Sequence, residues 1–110
     1  MKILITGKMG TGKSIFAKYL KSNHSDFTIV DFDDFGGDRN AFESKILNTK
    51  NCIVVIQHQK FISVSMSFDK IYECSRVSKN SFQVTDGFLV QGFIFKELSK
   101  FFDPRLEGCF

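Results

Sequence analysis

The sequence predicts an α/β fold of three layers, in which a small and mostly parallel sheet lies between helices and is followed by a C-terminal β-hairpin and helix. Three observations support this fold class. Short apolar runs typical of buried strands alternate with segments of helical periodicity. A glycine-rich loop joins the first strand to the first helix. Acidic and polar residues follow the later apolar runs, at the edge where an open parallel sheet binds its ligand.

Length and composition predict one domain over residues 1–110, with a core at 1–80 and a hairpin and helix at 81–110. Hydrophobic residues make up 43% of the chain, which excludes a disordered tail. The net charge of +3 is spread along the chain, so nucleic acid is permitted as a partner without being required. The three cysteines lack metal-ligand spacing, and no apolar stretch is long enough to span a membrane. We therefore expect a cytoplasmic protein.

The first strand, Ile3–Thr6, runs into eight residues that fit the pattern G-x-x-x-x-G-K-[ST] without a mismatch, and a helix is predicted to follow from Ile15. These residues are Gly7, Lys8, Met9, Gly10, Thr11, Gly12, Lys13 and Ser14. Glycines let backbone N–H groups turn inward around an anion, and the N-terminus of the helix adds the positive end of its dipole. The loop is therefore predicted to bind phosphate, with Lys13 at the β- and γ-phosphates and Ser14 on Mg²⁺.

This segment resembles the Walker A motif of P-loop nucleoside triphosphatases. The resemblance implies that ATP and Mg²⁺ are the cofactors and that residues 7–14 contact them. It also implies a P-loop fold for the core.

A second apolar run, residues 27–31, ends in a group of acids before Gly36. The acids are similar to a Walker B element, in which a carboxylate at the end of a strand holds hydrated Mg²⁺. We favour Asp33 and Asp34 as the acidic pair, with Asp33 and Ser14 on the metal, and keep Asp31 as a close alternative. A short helix is predicted at 38–48, with Phe42 and Ile46 on its apolar face.

Residues 52–56 form a continuous apolar run typical of a strand buried on both faces, and it ends in Gln57, His58 and Gln59. Gln57 or Gln59 is predicted to orient the water that attacks the γ-phosphate, whereas His58 is expected only to form hydrogen bonds. A further strand at 69–77 carries Arg76, which is a candidate for stabilising charge on the γ-phosphate of its own or a neighbouring subunit.

The last part of the chain predicts a β-hairpin and a helix without catalytic residues. Strands at 82–85 and 88–91 flank Asp86-Gly87, a strong hairpin signal. Phe93, Ile94, Leu98, Phe101 and Phe102 are spaced as in a helix that ends before Pro104. The many phenylalanines of this segment are expected to complete the core.

The order of these elements looks like a trimmed version of viral and phage DNA-packaging or assembly ATPases. By that resemblance the catalytic residues are Lys13, Asp33, Asp34, Gln57 and Arg76, and the partners are ATP, DNA, further copies in a ring or another virion protein, in the host cytoplasm. The opening of the chain is also similar to shikimate-type and nucleotide kinases, although only three arginines are present to clamp a γ-phosphate. A third hypothesis is an ATP-binding interaction module without turnover.

Overall fold

The computed structural model describes residues 1–63, 66–87 and 89–95. They form a mixed α/β structure with six strands and two helices. The elements are β1 (Lys2–Thr6), α1 (Lys13–Asn23), β2 (Thr28–Asp31), α2 (Arg39–Leu47), β3 (Cys52–Val55), β4 (Lys70–Arg76), β5 (Ser81–Asp86) and β6 (Leu89–Ile94). Short 3-10 turns follow β2 at Phe32–Phe35 and β3 at Gln59–Phe61. The helix predicted at 38–48 and the strand predicted at 69–77 are confirmed as α2 and β4.

All six strands lie in one sheet of order β2-β3-β1-β4-β5-β6. The pairs β2/β3, β3/β1 and β1/β4 are parallel, and β4/β5 and β5/β6 are antiparallel. The sheet is therefore mixed, because the predicted hairpin continues it instead of standing apart. The carboxyl ends of the four parallel strands share one edge, and β3 separates β2 from β1.

The two helices pack on opposite faces of the sheet, because successive side chains of a strand point to opposite sides. Ile3 and Ile5 of β1 belong to the same buried cluster as Phe16 of α1. Leu4, between them, belongs to the cluster that contains Phe42 of α2. Phe42 and Ile46 are both buried, as their spacing predicted. The two apolar clusters hold β1 at the centre of the fold.

The hairpin is confirmed, but its turn differs from the prediction. Asp86 pairs with Leu89, so Asp86 is the last residue of β5 instead of a turn residue. Phe93 and Ile94 belong to β6, so the predicted helix is wrong for these two residues. The remainder of that predicted helix, including Leu98, Phe101 and Phe102, lies outside the described residues.

Phe82 and Phe93 of the hairpin complete the core next to α1. Phe82 is fully buried and its ring stacks on that of Phe93, with centroids 5.4 Å apart. Phe93 in turn lies 5.5 Å from the ring of Phe16. These contacts explain why β6 remains a strand up to Ile94, since alternation along the strand places Phe93 against α1. In the part of the chain that the structure describes, no helix is long and apolar enough to cross a membrane.

Candidate functional site

The loop between β1 and α1 is closed by backbone and side-chain hydrogen bonds. The N–H of Gly7 donates to the carbonyl oxygen of Gln57 at 3.1 Å, which ties the start of the loop to the end of β3. Thr11 donates to the carbonyl oxygen of Lys8 twice, from its N–H at 3.3 Å and from Oγ1 at 2.7 Å. The loop is therefore a compact turn anchored at the carboxyl edge of the sheet.

Two glycines in this loop are required by close approach. A Cβ atom on Gly7 would lie 2.6 Å from the carbonyl oxygen of Cys74 and from Oγ1 of Thr11. Gly12 has φ +90°, and a Cβ atom there would lie 2.9 Å from the ring of Phe82. The glycine pattern thus lets the loop pack directly on β4 and β5.

The N-terminus of α1 is directed at the cavity beside the loop. Gly12 is the N-cap residue and forms no side-chain cap, and the N–H of Phe16 donates to its carbonyl oxygen at 2.9 Å. The N–H groups of the preceding residues have no acceptor within the helix. Together with the positive end of the helix dipole they favour an anion at this position. α1 begins at Lys13, two residues before the predicted start.

A cavity of about 250 Å³ lies in front of this helix end. It brings together residues from four elements and the loop. The predicted site residues that line it are Met9, Gly10, Gly12, Lys13, Ser14, Asp33, Gln57 and Arg76, together with the alternative acid Asp31. Gly7, Lys8, Thr11 and Gln59 line a neighbouring cavity, and Asp34 lines neither of the two. Most of the predicted residues therefore converge on one edge of the sheet.

Asp31 is the acid that the strand itself delivers to the cavity. It is the last residue of β2, and its Oδ1 accepts a hydrogen bond from the N–H of Asp33 at 3.0 Å. Burial raises the pKa of the Asp31 carboxyl, and the carboxylates of Asp33 and Asp34 raise it further, whereas the Asp33 N–H and Lys13 lower it. Asp33 and Asp34 are both exposed in the turn that follows. The structure thus places Asp31 deepest among the three acids.

Lys13 and Arg76 both contact carbonyl oxygens of the loop. The Nζ atom of Lys13 donates to Lys8 at 3.1 Å, and Nη1 of Arg76 donates to Gly10 at 2.7 Å. Arg76 also donates from Nε to Ser78 at 2.7 Å and from Nη2 to Lys79 at 2.6 Å, and its guanidinium carbon lies 4.6 Å from the ring centre of Phe95. Arg76 is therefore directed into its own chain, and contacts within the described residues occupy three of its five N–H groups.

His58 has a defined orientation at the end of β3. Its Nδ1 atom accepts a hydrogen bond from the N–H of Lys60 at 3.1 Å. In the neutral ring this hydrogen bond assigns the proton to Nε2, which then donates and does not accept. The hydrogen bonding predicted for His58 is therefore present.

Three residues near the loop were not predicted to take part in the site. Phe82 packs under Gly12, Phe95 lines the first cavity beside Arg76, and Glu73 lines the second cavity. All three come from β4 or from the hairpin and the residue after it. The sequence contains no local signal for these contacts, because they follow from the order of strands in the sheet.

Comparisons with known proteins return no relative. No family model, no curated protein and no solved structure matches this chain. The function is therefore inferred from the residues and geometry of the site.

Replacing Asp31 with asparagine is expected to raise the melting temperature at pH 7.5. Because folding raises the pKa of this carboxyl, its ionised form destabilises the native state relative to the unfolded chain. The penalty is fully present above the folded-state pKa and vanishes below the ordinary aspartate pKa. Asparagine keeps an oxygen that accepts from the N–H of Asp33 and carries no charge. Thermal unfolding followed by circular dichroism, without Mg²⁺ or nucleotide, measures the difference.

The exposed Asp34→Asn variant is the control, because it changes the same net charge in the same turn. The advantage of Asp31→Asn over wild type should shrink when the pH is lowered from 7.5 to 4. An Asp31→Asn variant that melts below wild type at pH 7.5 would contradict this account of the buried carboxylate.

Proposed function

We propose that the chain binds MgATP at the first cavity and hydrolyses it. The observation that carries this proposal is the convergence of Lys13, Ser14, Asp31 and Gln57 on a cavity at the N-terminus of α1. A cation, a hydroxyl, a carboxylate and an amide are the groups that phosphoryl transfer to water requires. The cavity also lies at the carboxyl ends of parallel strands. It is beside β1, which has β3 and β2 on one side of it in the sheet and β4 on the other.

The residues present fit a magnesium ion. Mg²⁺ keeps several waters and is usually held by one or two carboxylates together with substrate phosphates. Among the described residues no group of three or more histidine, cysteine, aspartate or glutamate side chains could hold a metal by itself. Ser14, Asp31 and Asp33 supply oxygen donors at the same cavity, which suits an ion that arrives with the nucleotide. When bound, Mg²⁺ would neutralise charge on the phosphates.

Each residue of the chain then has a separate role. The loop N–H groups and the α1 N-terminus bind the polyphosphate, and Lys13 moves from the carbonyl oxygen of Lys8 to the γ-phosphate. Gln57 orients the attacking water through its side-chain amide. Arg76 already contacts the loop of its own chain, so we propose that it acts on its own nucleotide instead of that of a neighbouring copy.

The viral and phage DNA-packaging and assembly ATPases are the class that we propose for this activity. The succession of loop, acidic strand end and glutamine-bearing strand end supports this class. DNA would then be the macromolecular partner, and stimulation of turnover by DNA is the property that separates this class from a kinase or a binding module.

The decisive experiment measures free phosphate released from ATP, with Mg²⁺ or EDTA and with or without DNA. We expect Mg²⁺-dependent release that DNA stimulates. Asp31→Asn and Asp33→Asn should each lower turnover at least about tenfold while nucleotide affinity changes less, because the carboxylates act through the metal.

Asp34→Asn is the matched control, since Asp34 lies outside the cavity, and it should stay within about twofold of wild type. Loss of affinity without loss of turnover in the Asp31 and Asp33 variants would show that these acids do not hold the metal. Phosphate transferred to an added nucleoside instead of released would overturn hydrolysis in favour of a kinase.

A further inference from the structure

A second cavity, of about 690 Å³, is lined by the loop and by no residue of α1. It is bounded by the loop, by the segment after β3 and by β4. Its size lies within the range of sites that hold small organic molecules. It meets the first cavity at Met9, Gln57 and Arg76, which line both. The proposed MgATP site uses the loop residues, Gln57 and Arg76, whereas most of the residues that remain come from the segment after Gln57 and from β4 before Arg76.

The polar groups of this cavity both donate and accept hydrogen bonds. Gln57 and Gln59 contribute amides, His58 offers an N–H at Nε2, and Ser75 contributes a hydroxyl. Groups of this kind match hydroxyls, because a hydroxyl also donates and accepts at once. A carboxylate has two oxygens that can accept hydrogen bonds from adjacent hydroxyls of one ring. In this cavity Glu73 supplies the carboxylate.

The charges in the cavity do not select an anion. Lys8 and Glu73 carry opposite charges, and the guanidinium of Arg76 already faces three backbone carbonyl oxygens. Ile71 and Met9 supply apolar surface for the carbon side of a ring. Among the described residues the imidazole of His58 is the only aromatic ring that lines the cavity, and no phenylalanine or tyrosine does, so a nucleobase has little surface on which to stack.

We propose that this second cavity binds a neutral ribose-like cis-diol, held by the Glu73 carboxylate and the Gln59 amide. The diol is the recognised group, and it is present both in the free sugar and in a ribonucleoside. Glu73 is brought to this position because β4 pairs in parallel with β1, with Thr6 opposite Glu73 in the register. The ligand therefore binds beside the end of the phosphate pocket and outside it.

The test is a ¹H–¹⁵N NMR titration of the full chain with D-ribose, adenosine and 2′-deoxyadenosine. We expect saturable shifts at residues 57–59 and 73–75, with a millimolar Kd for ribose and adenosine and at least about tenfold weaker binding of the deoxy compound. Glu73→Gln, which keeps the size of an exposed side chain, should weaken ribose and adenosine binding by a similar factor.

Lys13→Ala serves as the second variant, because it removes the lysine proposed to bind ATP, and Lys13 does not line the second cavity. It should retain ribose binding. Absence of saturable shifts, equal binding of the deoxy compound, or loss of ribose binding in Lys13→Ala would each overturn the proposal. ATP carries the same diol, so its binding at the first cavity is read from shifts at residues 12–15, and ribose binding without these ATP shifts would overturn only the proposed ATPase.

Discussion

Replacing Lys13 with alanine is expected to lower both the ATP turnover rate and the affinity for ATP, each by at least about 100-fold. Lys13 is the charged side chain of the first turn of α1, and it lines the cavity with Ser14 and Asp31. Among the hydrogen bonds of the described residues, its Nζ atom donates only to the carbonyl oxygen of Lys8, at 3.1 Å. Removing this side chain should therefore change the stability of the fold little and weaken ATP binding strongly.

ATP affinity by titration calorimetry and phosphate release measure the two effects. Lys21→Ala is the matched control, because Lys21 is an exposed lysine in the last turn of the same helix. We expect it to stay within about twofold of wild type. Both variants should unfold within about 1 kcal/mol of wild type in urea. Equal turnover in wild type and Lys13→Ala would exclude catalysis at this loop.

Replacing Gly12 with alanine is expected to destabilise the protein by about 3 kcal/mol. Two separate effects add here. The backbone at φ +90° is unfavourable for a residue with a side chain, and the new Cβ atom would lie 2.9 Å from the buried ring of Phe82. Phe82 is fully buried in the aromatic cluster with Phe93, so its ring has little room to move away.

Gly37→Ala separates the two effects. Gly37 has φ +87°, and a Cβ atom there meets nothing within 4 Å. It should therefore cost only about 1 kcal/mol, the strain of the backbone alone. Phe82→Leu in the Gly12→Ala background should recover part of the difference, because the smaller side chain relieves the overlap. Equal losses for Gly12→Ala and Gly37→Ala in urea unfolding would show that packing against Phe82 is not the cause.

The part of the site that the sequence predicted is local in the chain. Gly7, Gly12 and Lys13 lie within one turn between a strand and a helix, so their relation is fixed by spacing and by backbone conformation. Gln57 was found because it follows a strand buried on both faces, and parallel strands end at one edge. Local patterns of this kind also predicted α2 and β4.

The parts that the sequence missed depend on contacts between distant segments. Which of the three acids is least exposed depends on where β2 ends, and alternation alone does not set that end, so the sequence left Asp31 open beside the favoured Asp33 and Asp34. The contact between Phe82 and Gly12 requires the order β1-β4-β5 in one sheet. Extension of β6 to Ile94 similarly depends on Phe93 packing against Phe16, so a helical spacing of phenylalanines predicted the wrong element there.

The close approach of Gly7 to Cys74 also bears on the redox chemistry of the site. Burial raises the pKa of the Cys74 thiol to about 12, against the lowering influence of Lys13 and with a smaller upward contribution from Glu73. The sulfur therefore stays protonated at physiological pH and adds no negative charge next to Gly7. Because the thiolate is the reactive form, oxidants and alkylating reagents have no nucleophile at this position while the protein is folded.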